Sequence, residues 1–130
     1  MSRPASHLPA LKPWERSQYV TFQRWLNHVL RQRDLDNPDM KLEADLCDGS
    51  LIVEALEILT DKKVKGVRRA RSGQTLSRII RMNNVHTAFE FLKRQKVDVS
   101  SVSAEEIVDG KLAAVLGLLW LLMLHFQLRA

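Results

Sequence analysis

Residues Leu112–Leu124 read LAAVLGLLWLLML, thirteen residues without a polar side chain, flanked by Lys111 and His125. A helix that crosses a bilayer needs about 20 apolar residues. The run is therefore assigned to a helix inside a soluble core. A helix apolar on all sides needs neighbours on all sides, which places it in the middle of the fold. Nowhere in the 130-residue chain do apolar and polar residues alternate over a sustained stretch, so a sheet is not expected. Length allows one domain, and a hydrophobic share of 45% with 27% charged residues is ordinary globular usage. The expected fold class is all-α. A single cysteine, Cys47, excludes a disulfide scaffold, a CxxC redox pair and a cysteine-rich zinc site. One thiol and no secretory pattern point to the cytoplasm.

Three of the four prolines fall in residues 1–13, which read as a flexible leader docking through Leu8 or Leu11, with the domain at 14–130. In SQYVTFQRWLNHVLRQR, the residues Tyr19, Phe22, Trp25, Leu26, Val29 and Leu30 recur at helical steps. Gln23, Arg24, Asn27, His28 and Arg31 form the opposite, polar side, and Trp14 precedes the helix. After a loop at 34–41, a short turn at 42–46 leads to Asp48, a candidate N-cap for a helix through Leu59. Residues 62–73 look irregular. Helical spacing returns from about Leu76 to Lys93 and includes Ile79 and Ile80 on its apolar side. Ser103 and Glu106 make a capping box for a short helix, and Asp109-Gly110 breaks the chain before the last one.

The stretch 62–81 holds Lys62, Lys63, Lys65, Arg68, Arg69, Arg71, Arg78 and Arg81, with no Asp or Glu. The whole chain carries +5, so the rest of it sums to −3 (5 minus 8) and the basic character is local. Such a field steers an acidic partner, with strong salt dependence; the bland alternative is a solvated loop. Nucleic acid fits less well, because single-strand binders interleave aromatic residues with the cations and this stretch has none. A phosphoinositide surface is a weaker option.

Catalysis has little support. His7, His28, His86 and His125 show no ligand spacing, no phosphate-binding glycine pattern is present, and neither a metal nor a cofactor is expected. Cys47 reads as a buried inert thiol, and Asp48 and Asp109 as helix caps. Phe22, Trp25, Phe89 and Trp120 read as core, with Trp120 also a candidate contact for a second domain. In the last helix Val115, Leu118, Leu119, Leu122 and Met123 span more than one side, since successive residues turn by about 100°. Either surrounding helices cover them all or one strip emerges as an apolar contact.

Five pieces in register resemble a calponin homology domain: Thr21-Phe22-x-x-Trp25-x-Asn27, Asp45–Ile52, Asn84-Val85-x-x-Ala88-Phe89-x-Phe91-Leu92, Glu106–Gly110, and Leu116–Trp120 continuing to Phe126-Gln127. The wording is most similar to the first domain of the tandem actin-binding pair in spectrins, α-actinins, filamins and plakins. The resemblance implies four main helices with short connecting ones, no catalysis and no cofactor. It further implies filamentous actin as partner, met by three stretches. These are the first helix with Gln23, Arg24, Asn27, His28 and Arg31; the basic region with Lys62, Lys63, Lys65, Arg68, Arg69, Arg71 and Arg78; and the last helix with Lys111, Val115, Leu118, Leu119, Leu122 and Met123. Lys111 stands where the family usually has Asn, and Ala113, Val115 and Leu121 where it usually has polar residues. The same fold could instead serve a microtubule lattice or a signalling scaffold. A second such domain is expected beyond this chain.

Overall fold

The structure, a computed structural model, describes residues 11–127. Most of the leader, Leu8 included, lies outside them, while Leu11 packs against the core. Six α-helices follow in order: α1 (Pro13–Leu30), α2 (Leu42–Asp45), α3 (Ser50–Thr60), α4 (Arg78–Arg94), α5 (Ala104–Val108) and α6 (Leu112–Phe126). A 3-10 turn, Arg31–Arg33, extends α1, and the described residues contain no strand. No described helix is long and apolar enough to cross a membrane.

Helix α1 starts four residues before the expected Ser17. Pro13 suits a first helical position, where its missing N–H costs nothing. The Lys12 N–H donates to Glu15 Oε1 (3.2 Å), adding a cap. Trp14 therefore belongs to the first turn, where it is exposed. The apolar side of α1 is buried as its spacing requires, and Tyr19 fixes the next segment: its hydroxyl accepts the Leu42 N–H at 2.9 Å. Burial pushes the Tyr19 phenol above its ordinary pKa.

The cap of α3 falls one residue later than expected. Gly49 occupies it at φ 83°, while Asp48 Oδ1 accepts from the Ser50 N–H (2.8 Å) and hydroxyl (2.7 Å). Ser77 and Ser103 cap α4 and α5 through the N–H groups of Ile80 and Glu106. Asp109 ends α5 and leaves the start of α6 to Lys111. Cys47 is half-buried, its thiol donating to the Ala44 carbonyl at 3.0 Å.

Helix α6 packs on α1, α2 and α5, and α4 packs on α3 and α5. Fully buried side chains such as Leu26, Leu56 and Leu118 each stabilise the fold by about 1.5–3 kcal/mol. Helix α6 is apolar all round in sequence yet not covered all round. Val115, Leu118, Leu119 and Leu122 are buried, but Trp120 is 50% exposed and Leu124 39%. Phe22, Trp25 and Phe89 are core; Ile79, placed by its spacing with the apolar set, is 82% exposed.

Candidate functional site

Residues 61–77 join α3 to α4 without helix, and three buried anchors fix their path. Glu57 on α3 accepts the Val64 N–H at 2.8 Å, and Val64 is buried. Asn84 on α4 accepts the Arg68 N–H (2.9 Å) and donates to the Arg68 carbonyl (2.7 Å) and the Asp48 carbonyl (2.8 Å). Leu76 is buried where the segment re-enters the fold. Along the way Lys62 meets Gln95 at one end of α4 (3.5 Å), and Gly66 accepts from Asn83 (3.4 Å). The segment thus runs beside α4, a helix about 25 Å long at 1.5 Å per residue. Along this segment Lys62, Lys63, Lys65, Arg68 and Arg71 are exposed, and none lies in an ion pair with a described carboxylate.

Two cations of the expected set are already partnered. Arg69 Nε reaches Glu54 Oε1 at 2.5 Å, and its Nη2 lies 3.5 Å from Glu57 Oε1. The same two carboxylates hold Arg33, which pairs with Glu54 and with Glu57 (2.9 Å). Arg78 pairs with Glu105 (3.3 Å) and Asp109 (3.2 Å). Arg33, Glu54 and Glu57 did not emerge from the sequence as site residues, although Glu54 and Glu57 sit three apart on one helix face, a readable signal for a shared partner.

Burial pushes the Glu57 carboxyl up, but the Val64 N–H and the Arg33 guanidinium outweigh it and hold the group below the usual carboxylate range. A carboxyl depressed on folding stabilises the fold fully above its unfolded value of about 4.3, and that contribution is lost as pH falls through the lower folded value. Glu57→Gln is therefore expected to lower the thermal midpoint at neutral pH. It should also flatten the acid side of the midpoint-against-pH curve, measured by circular dichroism. An acid limb as steep as the parent's would contradict this assignment.

The polar side of α1 divides. Gln23 and Asn27, expected to face solvent and a partner, are buried, which corrects that expectation. Gln23 Nε2 donates to the Met40 carbonyl (2.6 Å). Asn27 donates to the Asn37 carbonyl and accepts the Asn37 N–H, both at 2.9 Å. The two amides staple the 34–41 loop to α1. Arg24, His28 and Arg31 remain exposed beside Pro38, Arg31 being 3.4 Å from Asp36.

The last helix is corrected likewise. Val115, Leu118, Leu119 and Leu122 are covered by their neighbours, so they form core and no apolar docking strip. Met123 is half-buried and Lys111 exposed. What α6 does present is a cleft shared with the start of α1, between Trp14 and Trp120, with Gln18, Ala113 and Gly117 in its walls.

The three expected stretches do not merge into one face. The C-terminal end of α1 meets the basic segment through Arg33, Glu54 and Arg69, whereas its N-terminal half meets α6. Lys111 approaches the basic segment at its other end, where Asp109 feels the charges of Arg78, Arg81 and Lys111. The described residues hold no cluster of groups suited to a metal ion.

The six helices of the described residues around one core, with a pinned cationic segment on the surface, define a small helical binding domain. The family described as Calponin homology (CH) domain matches residues 16–128, and the chain belongs to that family. It is 35% identical over 115 residues to Alpha-actinin-like protein 1 of Schizosaccharomyces pombe, which covers 88% of this chain and 18% of that protein. Filamin-C of Rattus norvegicus is 35% identical over 116 residues, covering 89% of the chain and 4% of the relative. Calmin of Mus musculus is 35% identical over 115 residues, covering 88% and 11%. The chain spans less than a fifth of the length of each.

Proposed function

We propose that this calponin homology domain is an actin-filament-binding module of a cytoplasmic, cytoskeletal protein, and that it acts by binding without catalysis. The observation that carries the reading is the segment 62–71, whose five unpaired cations are held outward by the anchors at Val64 and Arg68. A chain fixed at those points presents its charges without a large ordering cost on binding, so electrostatic attraction is not spent on freezing a loop. Arg24 and His28 on α1, Lys111 at the head of α6, and Ile79, next in sequence to Arg78, are further exposed groups outside that segment that would add separate contacts. Ile79 supplies the short-range apolar contact that the buried α6 leucines cannot. A second calponin homology domain in the same polypeptide would meet Trp120, whose exposure and apolar surroundings suit an interface.

Side-by-side pelleting with actin filaments and with microtubules tests the reading. The domain is expected to sediment with actin filaments and not with microtubules. Sedimentation with microtubules alone would favour the same surface serving a different polymer.

A further inference from the structure

The sequence Arg68-Arg69-Ala70-Arg71-Ser72 places a serine directly after the cations that the proposed docking surface uses. Ser72 lies in a tight turn: the Gln74 N–H donates to the Arg71 carbonyl at 2.8 Å, and Gly73 takes φ 76°. Residues 68–75 are exposed and contain neither helix nor strand. The Ser72 hydroxyl makes no hydrogen bond to a described residue. The neighbouring Ser77 differs, because its hydroxyl caps α4 by accepting the Ile80 N–H. Serine kinases that read arginine take their acceptor as an extended segment, so the exposed 71–74 turn must open on binding. They hold guanidinium groups just ahead of it through carboxylates, which a planar two-pronged cation fits well. Arg71 and Arg68 are exposed and unpaired. Arg69 is half-exposed and must exchange Glu54 for a kinase carboxylate.

We propose that Ser72 is a phosphorylation site for an arginine-directed serine kinase and that the phosphate switches off the cationic docking surface. The second half rests on the actin reading; the first does not. In the transfer, Ser72 Oγ attacks the γ-phosphorus of a nucleoside triphosphate. Its proton passes to the kinase's base and nucleoside diphosphate leaves. The product carries about −1.5 to −2 charges at pH 7 next to the unpaired cations Arg68 and Arg71, and its oxygens accept hydrogen bonds from their guanidinium groups. Those groups are then partnered within the chain and are no longer offered to an acidic polymer.

The test treats the parent domain and Ser72→Ala with ATP and an arginine-directed serine/threonine kinase, and follows both by peptide mass spectrometry. The parent is expected to gain one phosphate on the peptide containing Ser72, and the variant none there. The phosphorylated parent should leave a sulfonate cation-exchange resin at lower salt and bind actin filaments roughly five-fold more weakly at low ionic strength. No phosphate on Ser72 overturns the site. Phosphate on Ser72 with unchanged resin elution overturns the switch. A parent domain that does not sediment with filaments at all would sink the actin reading instead, with mass spectrometry and the resin still deciding the fate of Ser72.

Discussion

Replacing Asn84 with alanine is expected to cost about 3 kcal/mol and to lower the thermal midpoint by roughly 10 °C. The side chain is fully buried and makes three hydrogen bonds to backbone groups of two separate segments, Arg68 and the Asp48 turn. Each bond contributes about 1 kcal/mol net, and a group left buried without a partner loses more. The turn behind it cannot shift to compensate. A Cβ on Gly49 would stand 2.8 Å from the Asn84 Cβ, and Gly49 already needs φ 83°, which glycine adopts without strain. Alanine at position 84 should therefore detach the basic segment as well as weaken the core. Faster hydrogen exchange at the Arg68 amide reads the first effect, and denaturant unfolding reads the second. A midpoint within a degree or two of the parent, with Arg68 still protected, would show that the anchor lies elsewhere.

The second large effect is on binding and leaves the fold intact. Changing Lys65, Arg68 and Arg71 to glutamate alters three exposed positions by two charges each and breaks no ion pair. Filament affinity is expected to fall more than about ten-fold at low salt, because both steering and close attraction reverse sign. The thermal midpoint should stay within about 2 °C of the parent, as surface changes away from packed features rarely exceed about 0.5 kcal/mol each. Reversal at Arg69 belongs to a different class. It would set a third carboxylate beside Glu54 and Glu57, the latter 6% exposed, and so would destabilise the domain whatever it did to binding. A triple variant that still sediments with filaments as well as the parent would remove the cationic segment from the mechanism.

The periodic parts of this fold could be read before any coordinates. Tyr19, Phe22, Trp25, Leu26, Val29 and Leu30 repeat at helical spacing, and all six are buried. Ser77 and Ser103 stand where hydroxyl caps are needed, and the breaks at Gly49 and Gly110 take positive φ. Side chains whose partners come from backbone far along the chain were not legible. Gln23 and Asn27 look like solvent-facing amides because their acceptors, the carbonyls of Met40 and Asn37, leave no trace in side-chain pattern. Arg69 looks free because its carboxylates lie on α3, outside the run that contains it. The α6 leucines mislead the other way. A helix apolar all round advertises a greasy strip, yet which side is covered depends on where α1, α2 and α5 pack. Trp120 and Ile79 emerged instead, each from a position its spacing assigned to the core.

What matters most is whether the anchored cations hold the domain on actin. Sedimentation of the unaltered domain with actin filaments, repeated from low to high salt, answers this directly. Clear binding at low ionic strength that declines steadily as salt rises is expected. Binding that stayed constant across the series, or never appeared at its low end, would contradict it.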